Sequence, residues 1–276
     1  MLHLQNRWIA MLDVLGLGSR LNSQSLPKWS HRLQSTVQTA NDVTVSKAWF
    51  TVPGHELRTV DVAEFVFDTV VIVSKPMQER AAASLFAGYV SNLMMLFAMQ
   101  RMPLRGAIGF GDYTYTSNPK IFLSDIFKRL SHAEREQEWA GCVVLPQFED
   151  QFVSELFDSG VPEPRRSCLL LRYPVPLKND RIQTAWCLNW LDFHLNRRYR
   201  QHLRATMAGD PTKWQNTEKF LQYFETLPDN RMSLPAEFLP ATFASIIKQI
   251  RVQDLTFGVA LESTFNPSAC GCTSRA

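Results

Sequence analysis

A single mixed sheet with helices packed on it, α/β or α+β, is the fold class this sequence predicts, on three observations. An apolar run from Trp8 to Leu12 ends in Asp13 and turns through Gly16 and Gly18, the pattern of a covered strand with a charge at its tip. A second strand pattern, Glu64 to Ser74 (EFVFDTVVIVS), sets a lone acid, Asp68, among β-branched residues. Between Glu79 and Gln100, Ala81, Leu85, Tyr89, Leu93 and Leu96 instead recur at helical spacing as one apolar stripe. Strand and helix patterns keep alternating beyond that point, which is the signature of one layered α-and-β domain.

Taken in order, the first strand is followed by helix-compatible spacing at Trp29, Leu33 and Val37, with Pro27 dividing Gly18 to Gln38 into two expected short helices. Pro53-Gly54 is a turn signal, and Pro76 closes the strand that carries Asp68. Pro103 ends the long helix and opens a strand over Leu104 to Tyr115 with glycines at 106, 109 and 111, a density that implies a close backbone approach. Ile121 to Gln137 reads as a helix with Ile126, Leu130 and Ala133 on one face. Cys142 to Leu145 reads as a short strand closed by Pro146, and Phe148 to Phe157 as a helix. Gly160, Pro162, Pro164 and two arginines then mark a linker, so residues 1–158 are expected as a catalytic domain and 159–276 as a C-terminal extension with a polar tail. Within the extension, Cys168 to Tyr173 and Ile182 to Leu188 read as a hairpin, and Asp192 to Met207, Thr212 to Thr226 and Pro240 to Val252 as helices.

Composition narrows the function classes. The chain has 276 residues, 45% hydrophobic and 20% charged, which is ample for a packed core. A net charge of +3 with scattered Lys and Arg gives no basis for nucleic-acid binding; the densest basic stretch, Arg197 to Arg204, reads as one solvated helix face. Five cysteines without zinc or disulfide spacing fit reduced thiols in a cytoplasm. No signal peptide is read at the N-terminus, because Asp13 interrupts the apolar run. The most apolar window, Ala81 to Met102, carries Ser, Asn and Gln, so no membrane span is expected.

Two isolated acids on two core strands, Asp13 and Asp68, suit a divalent cation that also meets phosphates, since Mg²⁺ and Mn²⁺ take oxygen ligands and are held by one or two carboxylates plus the substrate. Four motifs in this order then carry a resemblance: Leu12-Asp13-Val14-Leu15-Gly16; Phe67-Asp68-Thr69; Leu104-Arg105-Gly106-Ala107-Ile108; and the stretch Ser124 to Glu138 followed by Trp139-Ala140-Gly141. Together they resemble the class III nucleotidyl cyclases, and more closely the compact bacterial pyrimidine cyclases of the Pycsar anti-phage systems. The resemblance covers Arg7 to Pro146 and implies an α+β fold with a ferredoxin-like core.

What the resemblance implies is specific. Asp13 and Asp68, with the backbone carbonyl of Val14, would hold two divalent ions, Mn²⁺ or Mg²⁺, and main-chain N–H groups of Leu15, Gly16, Leu17 and Gly18 would hold phosphate oxygens. Glu64 stands where base-discriminating relatives place Lys or Glu, and a carboxylate there accepts from uracil N3–H or cytosine N4–H₂. Arg105 would reach the triphosphate or else make an interface ion pair. Where relatives carry a transition-state Asn and Arg four apart, this sequence has Lys128 and His132, of which Lys128 can still donate to phosphate. Sites would form between the two subunits of a homodimer, with Gly106 and Gly109 allowing the approach. The substrate would be UTP, or alternatively CTP or a purine nucleotide, and the cyclic product would act on a separate effector protein. A catalytically degenerate, nucleotide-binding module is the reading from a different class.

Overall fold

The structure, a computed structural model, describes residues 1–18, 26–47, 59–77, 82–158, 169–190 and 196–226. The strands are β1 (Leu2–Val14), β2 (Val60–Val66), β3 (Thr69–Ser74), β4 (Leu104–Ser117), β5 (Lys120–Ser124), β6 (Cys142–Val144), β7 (Leu170–Pro176) and β8 (Ile182–Leu188). The helices are α1 (Leu26–Lys47), α2 (Ala82–Met99), α3 (Phe127–Glu136), α4 (Glu149–Asp158), α5 (Asn196–Thr206) and α6 (Pro211–Glu225). One sheet runs β2-β3-β1-β4-β6-β8-β7, with β5 paired to β4. Its first four strands are antiparallel neighbours, with α1 between β1 and β2 and α2 between β3 and β4. That is the split βαβ arrangement of a ferredoxin-like core, so the α+β fold expected from the sequence is the one observed.

Strand β1 sits in the middle of that core because both its faces are covered. Trp8 is fully buried, edge-on to Phe110 at 5.0 Å and to Phe152 at 4.5 Å, and its indole N–H donates to Glu155 at 2.5 Å. Helix α2 is apolar all round and nearly every residue in it is buried, as such a helix must be. By length and composition it would suit a bilayer, yet 89% of it is enclosed by this chain's own sheet and helices. Tyr89 and Asn92 of α2 donate to the Val37 carbonyl and the Thr44 hydroxyl of α1, at 3.4 and 2.9 Å.

Several element boundaries differ from the sequence reading. Helix α1 is continuous through Pro27, its second residue, because a proline in the first turn removes an N–H that has no intrahelical partner. The helix expected over Ile121 to Gln137 splits: 120–124 pair with β4 as a hairpin strand, and only Phe127–Glu136 is helical. Alternation decides that segment, since Ile121 and Leu123 are exposed while Phe122 lies 5.1 Å from Tyr115. The glycines of β4 make room for neighbours in their own chain. A Cβ at Gly106 would stand 2.3 Å from the Met11 carbonyl oxygen, and one at Gly109 would stand 2.9 Å from Ile126.

Residues 169–190 and 196–226 do not form a separate layer. Strands β7 and β8 extend the same sheet, and α6 packs Phe220 against Trp139 at 4.7 Å and Tyr173 at 4.9 Å. The linker at 159–168, the helix expected at 240–252 and the Cys270–Cys272 tail lie outside the described residues.

Candidate active site

The two acids meet at one end of the core. Asp13 is the penultimate residue of β1, in register with Thr69 of β3 on one side and Arg105 of β4 on the other. Asp68 lies in the two-residue loop joining β2 to β3, and its carbonyl accepts from the Val14 N–H at 2.9 Å, which ties the hairpin tip to the end of β1. Phe67, the first residue of that loop, has φ 60°, a position where such turns favour Gly. Asp13 is half-buried and its carboxyl is pushed up to about 6, first by burial and then by the carboxylates of Glu134 and Asp68; Arg105 and Lys213 oppose this only in part.

Arg105 is the hub beside it. Its guanidinium is buried and pairs with Glu134, with Nε donating to Oε1 at 2.6 Å and Nη2 pairing with the same oxygen. It also donates to the Gln137 carbonyl at 2.9 Å, and Nη2 stands 3.8 Å from Asp13. The side chain expected on the triphosphate is therefore held within its own chain. Gln137 completes the cluster by donating to the Gly106 carbonyl at 2.8 Å and accepting from the Trp139 indole at 2.9 Å.

The expected phosphate loop is partly committed. The Leu15 N–H donates to the Pro103 carbonyl at 2.9 Å and the Leu17 N–H to the Val14 carbonyl at 3.2 Å, with Gly16 at φ 72° making the turn. Those two N–H groups are thus engaged, while a Cβ at Gly18 would meet nothing within 4 Å. The Val14 oxygen accepts that Leu17 bond and, as a carbonyl, has a second lone pair. Glu64 is exposed on β2 and registers through Val71 and Met11 with Ala107, on the sheet face that also bears Asp13 and Arg105.

Lys128 is not beside the acids. It lies on α3 with Arg129 and His132, lining a cleft of about 560 Å³ whose other wall, on the β7–β8 hairpin, carries Arg181. Val143, Leu145, Val175 and Ala185 give it an apolar floor. The cleft exists because β8 pairs with β6 at a single register, Val143 with Cys187, after which the hairpin swings onto the end of α3. There the Glu138 N–H donates to the Pro176 carbonyl at 3.0 Å, the Lys178 N–H to the Glu136 carbonyl at 2.8 Å, and Arg181 pairs with Glu136. None of Asp13, Asp68, Glu64 or Arg105 lines this cleft.

Sequence reasoning missed two cations. Arg181 follows the left-handed residues Asn179 and Asp180 at the hairpin turn, and the Asn-Asp pair was the available signal. Lys213, in the first turn of α6, acts electrostatically on Asp13 and pairs with the N-cap residue Asp210. Helix α6 is held near the acids by Asn216 donating to the Glu138 carbonyl at 3.0 Å and the Ala140 N–H donating to Thr217 at 2.8 Å. No local pattern in residues 196–226 announced that placement.

Among the described residues no three His, Cys, Asp or Glu side chains converge as a complete metal cage. The Asp13–Asp68 pair nevertheless fits a divalent cation shared with a phosphate. Two acids at one strand end, with the Asp13 carboxyl pushed up to about 6 first by burial and then by its carboxylate neighbours, are a donor set short of positive charge.

No family model and no curated protein matches the sequence. Solved structures do. The chain is similar to the non-canonical dimeric guanylyl cyclase domain of the RhoGC fusion protein from the aquatic fungus Blastocladiella emersonii, with TM-score 0.46 and 11% identity over 68% of this chain and 98% of that one. It is also similar to the adenylyl cyclase CyaB from P. aeruginosa, with TM-score 0.39 and 12% identity over 68% of this chain and 96% of that one. A bacterial light-regulated adenylyl cyclase matches with TM-score 0.40 and 10% identity over 75% of this chain and the whole of that one.

Proposed function

We propose that this chain is a nucleotidyl cyclase of the pyrimidine type, converting UTP to 3′,5′-cyclic UMP and diphosphate as a cytoplasmic alarm signal in anti-phage defence. The observation that carries this reading is the meeting of Asp13 and Asp68 at the end of β1, two acids from separate motifs joined through the Val14–Asp68 hydrogen bond of 2.9 Å. The reaction is intramolecular: the ribose 3′-oxygen attacks the α-phosphorus, the bond to the β-phosphate's bridging oxygen breaks, and the 3′-hydroxyl proton is lost. Positioning and charge neutralisation are therefore the protein's main tasks.

Asp13, Asp68 and the Val14 carbonyl would hold the divalent ions, which when bound supply Lewis-acid polarisation of the phosphate and of the attacking hydroxyl. Arg105 and Glu134 fix the end of β4 and keep the Asp13 carboxylate in place. Lys128, with His132 and Arg181 around the cleft, would neutralise charge on the α-phosphate and on the departing diphosphate. Because the acids and the cleft do not meet within one chain, the reading requires a second copy to bring them together, in a homodimer with two equivalent sites. Glu64 would accept from the uracil N3–H; cytosine, or guanine through its N1–H and N2–H₂, would satisfy the same carboxylate, so CTP and GTP are the alternatives. The cyclic product would act on a separate effector.

The test incubates purified protein with Mn²⁺ and each ribonucleoside triphosphate separately, with cyclic products measured by mass spectrometry beside Asp68→Ala. A cyclic pyrimidine product lost in the variant supports the reading. No product from any nucleotide with folded, dimeric protein would instead favour a degenerate module that binds nucleotide without turning it over.

A further inference from the structure

The first turn of α6 carries a cation that helix stability does not call for. Lys213 is the third residue of α6, after Pro211 and Thr212, at the positive end of the helix dipole, where acids are favoured over lysines. The N-cap residue Asp210 answers it. One carboxylate oxygen accepts from the Lys213 N–H at 3.1 Å, and the other pairs with the Lys213 ammonium. Lys213 is half-buried in that pair, in a stretch of the chain that holds none of the four motifs.

A short run of hydrogen bonds fastens this turn to the acid end. The Thr217 hydroxyl donates to the Lys213 carbonyl and accepts from the Ala140 N–H, both at 2.8 Å. The adjoining Gly141 carbonyl accepts from the Gly106 N–H at 2.9 Å, and Arg105, beside Gly106, is in register with Asp13. Thr217 is fully buried and Phe220 packs on Trp139 and Tyr173, so packing fixes where the turn sits. Charge follows the same path. Lys213 acts on the Asp13 carboxyl; the Asp210 carboxyl, which burial alone would raise, is held below its ordinary value by its bonds to Lys213 and by the charges of Lys213 and Arg105. Four carboxylates, Asp13, Asp68, Glu134 and Asp210, thus share Arg105 and Lys213. Of these two cations Arg105 is committed to Glu134 and the Gln137 carbonyl, both buried. Lys213 is held by a partner that is 40% exposed and can be returned to water at little cost.

We propose that Lys213 binds the substrate's phosphates at the acid end of its own chain: with a divalent ion on Asp13 and Asp68, its ammonium leaves Asp210 and donates to an oxygen of the triphosphate that the ion holds. The nucleotide in this proposal rests on the cyclase reading; the metal-bound polyphosphate does not. A compact ammonium on a flexible stem suits such an exchange of partners, and the new bond, like the old one, is charged on both sides. Helix α6 thereby adds a cation on the same chain as the acids to those lining the α3 cleft, and the C-terminal helices take part in binding as well as in packing.

Isothermal titration of the full chain with inorganic tripolyphosphate, with and without Mn²⁺, tests this without requiring turnover. Lys213→Ala should weaken the Mn²⁺-dependent affinity about tenfold, the loss of one charge-assisted hydrogen bond, and Lys213→Arg should recover most of it because the charge returns. Asp210→Asn keeps an N-cap acceptor while freeing the ammonium, so it should bind at least as tightly as wild type. A lysine that served only its helix would behave differently: both Lys213→Ala and Asp210→Asn would lower the thermal midpoint, and neither would move the affinity. A wild type that does not bind tripolyphosphate with Mn²⁺, an unchanged affinity in Lys213→Ala, or a loss that Asp210→Asn shares would overturn the proposal. An equal loss without Mn²⁺ would overturn it as well, because the phosphate would then lie away from the acids. A Lys213-dependent affinity in protein that cyclises no nucleotide would sink the cyclase reading and leave this site standing; a cyclic product alongside an unchanged affinity in Lys213→Ala would do the reverse.

Discussion

The acid end of the core and the cationic cleft differ in how the chain builds them. Asp13 and Asp68 are placed by adjacent strands, through register and one hairpin loop, so each acid is locally visible as a lone charge in an apolar run. The cleft depends on Lys128 and Arg181, 53 residues apart, meeting because a hairpin departs from the sheet after one register pair. Its acids are crowded and its cleft cations lie open at a rim, so the two ends respond oppositely to substitution. Changes at the acid end alter both stability and chemistry, whereas changes at the cleft should alter binding with little effect on the fold.

The largest effect tests the acid end directly. Asp68→Ala should lower turnover by about a hundred- to a thousandfold, the order of loss seen when a group that stabilises charge in the transition state is removed, with the fold retained because Asp68 lies in a turn. The companion is Arg105→Met, a stability experiment. It leaves Glu134 buried without its cation, at a cost on the order of 3–5 kcal/mol. The double variant Arg105→Met/Glu134→Gln should recover much of that loss. Chemical denaturation of the set checks it, and a single variant as stable as wild type would show that the pair does not hold the end of β4.

The same contrast explains what was legible in sequence. The mixed sheet with its packed helices followed from strand runs and one helical stripe, since each of β1, β3, β4 and α2 carries its own periodicity, while the ferredoxin-like core came only with the resemblance. The split of Ile121 to Gln137 into β5 and α3 was not legible, because Ile121, Phe122 and Leu123 satisfy strand and helix patterns alike until β4 offers a pairing edge. Arg105 was visible as a conspicuous cation, but its partners Glu134 and Gln137 lie 29 and 32 residues away, so its role as an internal hub needed the tertiary structure. Lys213 belongs to a helix whose docking on Glu138 and Ala140 leaves no trace in spacing.

A smaller effect sharpens the acid end by pH. Asp13 has a folded-state pKa raised from 3.8 to about 6, so between those values the folded chain keeps a proton that the unfolded chain has released. Stability therefore falls as pH rises through that window, and the penalty, on the order of 2–3 kcal/mol, is complete above it. Asp13→Asn should then be more stable than wild type at pH 7.5 and about equal to it at pH 3.5, by urea midpoints. Added Mn²⁺ should raise the wild-type midpoint at pH 7.5 and leave the variant unmoved. An Asn variant no more stable at pH 7.5 would mean that Arg105 and Lys213 already neutralise the site.

The smallest expected stability change belongs to the cleft. Arg181 pairs with Glu136, but its side chain is 56% exposed, and an ion pair in that setting contributes at most about 1 kcal/mol. Arg181→Ala should accordingly leave the thermal midpoint within experimental scatter. If the guanidinium meets the triphosphate of a nucleotide held in part by the partner chain, the same substitution should raise KM roughly tenfold, one lost charge-assisted bond, with a lesser effect on kcat. Arg181→Lys should recover part of that loss, because the charge returns without the fork. A variant that loses stability yet keeps its KM would assign Arg181 to the β7–β8 turn and leave Lys128 and His132 as the cleft cations facing the substrate.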